Sequence, residues 1–96
     1  MLASNVKGDG DALIILHGLF GSYDNLGRIT NELSKHYKVH SLDLRNHGNS
    51  FHSEEMSYEV MAEDVVRYMD RNQLKSVNIM GHSMGGKVAM RISLDY

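Results

Sequence analysis

The sequence predicts an α/β protein built on a parallel sheet with helices on both faces. Three short apolar runs, at residues 12–16, 37–44 and 76–80, have the composition of buried strands. Two segments between these runs place apolar residues at helical spacing, and a third such segment follows the last run. This alternation is typical of an open sheet in which right-handed crossovers join parallel strands.

The predicted helices have recognisable starts and apolar faces. Ser22 or Asp24 can cap the first helix, in which apolar residues recur up to Leu33. Ser57 can cap the second helix, whose apolar positions fall on one face. We expect this face to join the core, through Tyr58, Met61, Ala62, Val65, Val66 and Met69. The last helix directs Val88, Ala89 and Ile92 inward.

The strand order follows from the crossovers. If the second strand lies on one side of the first strand and the third lies on the other, the two crossover helices cover opposite faces. The predicted order is therefore second–first–third, with the first strand at a topological switch point. Ligands bind outside the carboxyl ends of strands at such a point. The loops that begin at His17 and Gly81 both lie there.

The segment after the third strand contains the candidate nucleophile. Residues 81–85 (GHSMG) fit the pattern G-x-S-x-G between a strand and a helix, and Ser83 stands at its centre. Gly81 and Gly85 allow a tight turn without a Cβ clash, and the helix N terminus favours developing negative charge. We expect His82 to pack beside the turn and to have no part in the proton transfer.

The loop after the first strand is the candidate partner of this turn. Acyl transfer needs two N–H donors directed at one oxyanion, one from the residue after the nucleophile and one from a neighbouring strand loop. Met84 and Leu19 are the candidate donors. His17 and Gly18 support the same loop, and we expect His17 to brace it by hydrogen bonding.

A polar loop, residues 45–50 (RNHGNS), follows the second strand. We expect Arg45 and Asn46 to hold this loop against the neighbouring strand tips. His47 is expected to brace the loop or to be solvated, and His52 likewise, with contact at the mouth of a substrate site as the alternative.

Composition and charge exclude several function classes. The net charge is -2 and no Lys/Arg cluster occurs, so we expect neither nucleic-acid nor membrane binding. The longest apolar run ends at residue 16, far short of the ~18 residues that cross a bilayer. The sequence contains no cysteine and we expect no signal peptide, which together predict a cytoplasmic protein. We expect no metal or cofactor, because His36 and His40 straddle a helix end and a strand.

Three blocks of sequence together resemble the α/β-hydrolase superfamily. They are residues 17–22 (HGLFGS), 43–50 (DLRNHGNS) and 81–87 (GHSMGGK), and the likeness extends from about residue 12 to residue 92. It is strongest to small bacterial carboxylesterases and their mitochondrial relatives. The resemblance implies that Ser83 is the nucleophile and that the N–H groups of Leu19 and Met84 form the oxyanion hole. It also implies hydrolysis of carboxylic esters or thioesters through an acyl-enzyme, without a cofactor.

The family's acid and histidine follow the nucleophile in the chain, and here the sequence departs from the pattern. Asp95 is the single acid after Ser83, and no histidine follows it. We therefore interpret residues 1–96 as the N-terminal part of one hydrolase domain, with its acid and base beyond Tyr96. We expect this chain to be inactive by itself and to self-associate through bare sheet edges.

Three alternatives stay open at this point. The chain could be a non-catalytic, truncated hydrolase-fold protein, or its fold could perform thioesterase, acyltransferase or carbon–carbon hydrolase chemistry. Residues 81–88 (GHSMGGKV) also nearly fit the phosphate-binding pattern G-x-x-x-x-G-K-[ST]. Val88 replaces the hydroxyl residue that would hold Mg²⁺, which makes nucleotide binding a remote alternative.

Overall fold

The computed structural model describes residues 2–17, 27–81 and 84–95, and gives only the backbone of residues 27–29, 84 and 95. These residues form four strands and three helices. In chain order they are β1 (Ser4–Lys7), β2 (Ala12–Leu16), α1 (Gly27–Leu33), β3 (Lys38–Leu42), α2 (Tyr58–Arg71), β4 (Asn78–Gly81) and α3 (Met84–Asp95). The capping residues predicted for α1, Ser22 and Asp24, lie outside the described residues.

The strands form one sheet in the order β1-β3-β2-β4. β3 and β4 both pair in parallel with β2, so the predicted order second–first–third is confirmed for the parallel strands. Leu16 at the end of β2 is level with Leu42 of β3 and with Gly81 of β4. The carboxyl ends of the three parallel strands therefore lie at one edge of the sheet.

The sheet also contains an antiparallel strand that the sequence analysis missed. β1 pairs with the outer side of β3, with Ser4 opposite Leu42 and Lys7 opposite Val39. All four residues of β1 are exposed, so backbone hydrogen bonds form this strand without an apolar run to mark it. The prediction of a purely three-stranded parallel sheet was wrong in this respect: the sheet is mixed, and β1 covers the outer edge of β3.

Alternate residues of β2 face two separate apolar clusters. Ile14 and Leu16 belong to the larger cluster, together with the apolar residues of α2 and α3. Leu13 and Ile15 belong to the other cluster, against which Leu33 of α1 packs. Helices therefore cover both faces of the sheet, as predicted, and β2 is buried between them.

The helix α2 begins as predicted, although its first apolar position is not in the core. Ser57 caps the helix by accepting a hydrogen bond from the Val60 N–H at 3.2 Å. Met61, Ala62 and Val65 are buried, and Val66 and Met69 pack partly against them. The expectation for Tyr58 was wrong: its side chain is 40% exposed, and its ring lies 5.7 Å from the Nζ of Lys87.

The last helix, α3, packs as the sequence predicts. Val88 and Ile92 are buried in the larger cluster, and Ala89 packs partly against it. In the part of the chain that the structure describes, no helix has the length and apolar character needed to cross a bilayer.

Candidate active site

The helix α3 begins directly against the end of β2, and two glycines make this approach possible. A Cβ on Gly85 would overlap the carbonyl oxygen of Leu16 and lie 2.6 Å from that of His17. A Cβ on Gly81 would overlap the carbonyl oxygen of Gly85. Backbone atoms cannot yield as flexible side chains can, so the two glycines are required by close contact. They bring the end of β2, the end of β4 and the start of α3 together.

Several of the predicted site residues fall in the segments that the structure does not describe. Ser83, His82, Gly18 and Leu19 lie outside the described residues, and Met84 is described only as the first backbone position of α3. The roles of Ser83, Leu19 and Met84 therefore stay predictions. The residues that flank them, His17, Gly81 and Gly85, are described and lie at one edge of the sheet.

His17 connects the end of β2 to the loop after β3. The side chain is 1% exposed, and its Nε2 accepts the backbone N–H of Leu44 at 2.9 Å. An imidazole nitrogen that accepts an N–H has no proton of its own, so this contact requires the neutral tautomer protonated on Nδ1. The ring also lies 5.0 Å from that of His47, at 52°. In this arrangement His17 holds the end of β2 against the loop after β3, and its bracing of the loop that it begins stays a prediction.

The loop after β3 is folded around a buried carboxylate. Asp43 is 1% exposed, and its Oδ2 accepts the N–H of Asn49 at 2.9 Å. Gly48 has a φ of +49°, and a Cβ there would overlap this carboxylate. The Ser50 hydroxyl donates to the carbonyl of Asp43 and accepts the N–H of Ala3 at 2.8 Å. These contacts fasten the loop to the segment that leads into β1.

Arg45 fastens the same loop to α2. Its guanidinium donates to both carboxylate oxygens of Asp64, at 2.6 and 2.9 Å, and to the carbonyl of Glu55 at 2.8 Å. The hydrogen bond to Asp64 raises the pKa of Arg45 above its ordinary value. The guanidinium carbon also lies 5.1 Å from the centre of the Phe51 ring. Arg45 therefore has a structural role in this loop, but the expected partner was wrong: its guanidinium holds the loop against α2 and not against the neighbouring strand tips.

Asn46 holds the return of this loop. Its side-chain amide oxygen accepts the backbone N–H of Ser53 at 2.7 Å, and its backbone N–H donates to the carbonyl of Phe51 at 2.8 Å. The backbone of Asn46 has a φ of +65°, a left-handed conformation that asparagine tolerates better than most residues. Asn46 therefore makes the turn that returns the chain toward α2.

Comparison with known proteins decides the family. A family model described as the alpha/beta hydrolase fold matches residues 11–96. The chain belongs to this family. A solved structure titled as a marine microorganism esterase superposes on the hydrolase chain with a TM-score of 0.94 at 53% identity, covering 96% of this chain and 36% of that one. The resemblance inferred from the three sequence blocks is therefore confirmed.

Curated relatives of the hydrolase chain are named for ester chemistry. A Haemophilus influenzae protein named as an esterase/lipase is 56% identical over 81 residues, which cover 84% of this chain and 28% of the relative. The ethanol acetyltransferase 1 of Wickerhamomyces anomalus is 37% identical over 82 residues, which cover 83% of this chain and 21% of the relative. The hydrolase chain thus spans less than a third of the length of these two relatives.

The other histidines of the hydrolase chain differ in their surroundings. His47 is 7% exposed, and its Nδ1 lies 2.8 Å from the carbonyl oxygen of Arg45, so it braces the loop. His52 is exposed. His36 is exposed whereas His40 is buried, so this pair does not share a face. Within residues 2–17, 27–81 and 84–95, no group of three or more acidic or histidine side chains could hold a metal ion.

The sequence analysis did not predict the burial of two polar residues, Asp64 and His40. Asp64 lies on the buried face of α2 beside Val65. An acidic residue among the apolar positions of a helix was the available sign of a buried ion pair. His40 is 3% exposed and lies in the middle of β3, where its Nδ1 is 2.7 Å from the hydroxyl of Tyr68. Burial, aided by the positive charge of Lys38, lowers the pKa of His40 below its usual 6.5.

Proposed function

We propose that the complete protein containing this chain is a serine hydrolase that cleaves carboxylic esters through an acyl-enzyme on Ser83. The observation that most supports this function is the contact of Gly85 with the end of β2. That contact leaves no room for a side chain between α3 and the strand that leads into the Leu19 loop. Gly81 and Gly85, which flank Ser83 in the sequence, lie at the carboxyl edge of the sheet, where ligands of such folds bind, and this supports Ser83 as the nucleophile.

The proposed reaction has two stages. The Ser83 Oγ attacks the acyl carbon while a base accepts its proton, and the carbonyl electrons move to the oxygen, which becomes an oxyanion. The backbone N–H groups of Leu19 and Met84 donate to this oxyanion, aided by the N-terminal dipole of α3. The alcohol leaves with the proton from the base. Water then attacks the acyl-enzyme and releases the carboxylic acid and free Ser83.

The base and its acid are proposed to come from beyond Tyr96. Nε2 of His17 is occupied by the N–H of Leu44, and Nδ1 of His47 lies against the carbonyl of Arg45. Both oxygens of Asp64 accept from Arg45, and Asp43 accepts the N–H of Asn49. These buried groups brace the loops, which supports a separate source for the proton-transferring pair.

Substitution of the nucleophile in the complete protein tests this function. We expect Ser83→Ala to abolish hydrolysis of p-nitrophenyl esters and labelling by a fluorophosphonate, since both require the Oγ. The matched control is Ser93→Ala, because Ser93 is an exposed serine of α3, the helix that follows Ser83 in the sequence. Full ester hydrolysis by Ser83→Ala would overturn the proposed function.

Acyl transfer to an alcohol is the second candidate, because one relative is named as an ethanol acetyltransferase. The same acyl-enzyme on Ser83 would then react with an alcohol in place of water, and an ester would be released. Product analysis separates the two outcomes. With an acetyl ester as donor and ethanol as acceptor, a hydrolase forms mainly acetate, and a transferase forms mainly ethyl acetate.

A further inference from the structure

A cleft of about 340 Å³ lies beside α2, away from the glycine contacts of α3. Its lining consists of Leu2, Phe51, Asp64, Arg67 and Arg71. The two arginines are four residues apart on α2, which places them on one face of the helix. No carboxylate among the described residues lies within salt-bridge distance of either guanidinium.

The one carboxylate in the lining does not neutralise these arginines. Both oxygens of Asp64 accept hydrogen bonds from Arg45, and the side chain is only 3% exposed. The charge of Asp64 is therefore compensated by Arg45, and the charges of Arg67 and Arg71 remain available to a ligand. This excess of positive charge is local, since the whole chain has a net charge of -2.

The cleft also offers an aromatic surface next to the two cations. The Phe51 side chain is 37% exposed, and the Arg45 guanidinium lies against its ring. Leu2, which is 4% exposed, adds an apolar side chain to the lining. A ligand that fits this lining has an anionic head and a flat or apolar body.

We propose that this cleft binds a small organic anion, with its phosphate or carboxylate head between Arg67 and Arg71 and its apolar body against Phe51. Guanidinium groups bind such oxyanions through charge-assisted hydrogen bonds, and two of them match the several oxygens of a phosphate. Phe51 belongs to the segment that follows β3, and Arg45 of the same segment is bonded to Asp64 of α2. An anion bound against Phe51 is therefore in contact with the segment that borders the carboxyl edge of the sheet. This inference goes beyond the proposed ester hydrolysis and does not depend on it.

Calorimetric titration of the complete protein tests the site. Phenyl phosphate and benzoate are the probes for the two kinds of anionic head, and benzyl alcohol is the neutral probe. We expect saturable binding of at least one anion, weaker binding as salt is added, and no saturable binding of benzyl alcohol. The anion that binds more tightly identifies the head group that the cleft selects.

Substitutions identify the residues responsible. We expect Arg67→Gln and Arg71→Gln each to weaken binding by about tenfold or more, because each removes a charged donor. Lys35→Gln is the matched control, since it removes a positive charge from an exposed residue elsewhere on the surface. We expect Phe51→Leu to weaken binding of the aromatic anion while leaving binding of inorganic phosphate unchanged.

Two results would overturn the proposal. One is the absence of saturable binding for both anions. The other is binding that the two arginine substitutions affect no more than Lys35→Gln does. Thermal unfolding of each variant shows that the fold is retained, and because Arg67 and Arg71 are exposed we expect their substitution to leave it intact.

Discussion

Arg45 and Asp64 form a buried, two-pronged ion pair, with Nε and Nη2 of the arginine 2.6 and 2.9 Å from the two carboxylate oxygens. The pair joins the loop after β3 to the middle of α2, across 19 residues of sequence. Its side chains are 10% and 3% exposed. Because solvent screens such a buried pair poorly, each of the two charges is compensated mainly by the other.

Removal of one member of this pair should destabilise the protein. We expect Asp64→Asn to lower the free energy of unfolding by about 3 kcal/mol, because it leaves the Arg45 charge buried and uncompensated. Urea unfolding of the complete protein measures this change. Glu63→Gln, at the exposed neighbouring position, should change it by less than about 0.5 kcal/mol. Equal unfolding midpoints for the two variants would contradict the structural role of the pair.

Substitution of two adjacent glycines of α3 by alanine should change the stability of the protein in different directions. A Cβ on Gly85 overlaps the Leu16 carbonyl, whereas a Cβ on Gly86 lies 3.5 Å from its nearest neighbour, the Gly81 carbonyl oxygen. We expect Gly85→Ala to cost about 1–3 kcal/mol by forcing α3 away from β2, and to lower ester hydrolysis. Gly86→Ala should be neutral or stabilising by up to about 1 kcal/mol, because alanine favours the helix. Thermal unfolding and activity assays of both variants check this contrast.

The lowered pKa of His40 should make the fold sensitive to acid. The folded state disfavours the charged imidazole, because His40 is buried against Tyr68 and lies on the same strand as Lys38. The backbone neighbours of His40 on the adjacent strands are Val6 and Ile14, which are not titratable. The unfolded state therefore binds the proton more readily than the folded state does. The contribution of neutral His40 to the free energy of unfolding is complete above about pH 6.5, and it decreases as the pH falls toward the pKa of the folded state.

Variants separate this contribution from other titrations. We expect His40→Gln to flatten the decrease in unfolding free energy between about pH 7 and pH 5, after its general cost at neutral pH is subtracted. His36→Gln should leave the decrease unchanged, because His36 is exposed. The same acid-induced decrease in His40→Gln as in the wild type would contradict the role of His40.

The isolated chain of 96 residues should self-associate through the edge formed by β4. Among the described residues, β4 pairs only with β2, and Met80 is 41% exposed on it. Light scattering should show dimers or larger species, and Met80→Lys should reduce them, because charge on an edge strand opposes further pairing. A monodisperse monomer with a cooperative melt would show that this edge is harmless.

The sequence predicted those features that local patterns determine. The apolar run of β2 and the helical periodicity of α2 led to the strand order, and the glycines at residues 81 and 85 indicated the edge of the sheet at which we propose the site. β1 was missed because it is fully exposed and backbone pairing alone defines it. The exposure of Tyr58 could not be predicted from periodicity. Tyr58 is the first residue of α2, and its burial depends on how that end of the helix is placed against α3.

The buried polar pairs needed the three-dimensional structure. Arg45 and Asp64 are 19 residues apart in sequence, and His40 and Tyr68 are 28 apart. Neither pair has a local pattern, since each depends on how α2 crosses β3. The cleft lined by Phe51, Arg67 and Arg71 could not be predicted from the sequence for the same reason, because it combines a loop residue with two helix residues.

Trapping the acyl-enzyme is the most direct test of the central claim. The complete protein would be mixed with a p-nitrophenyl ester, quenched in acid, and analysed by intact mass and peptide mapping. We predict one added acyl group, located on Ser83 and absent from Ser83→Ala. An acyl group on another residue, or rapid ester hydrolysis by Ser83→Ala, would contradict the assignment of Ser83 as the nucleophile.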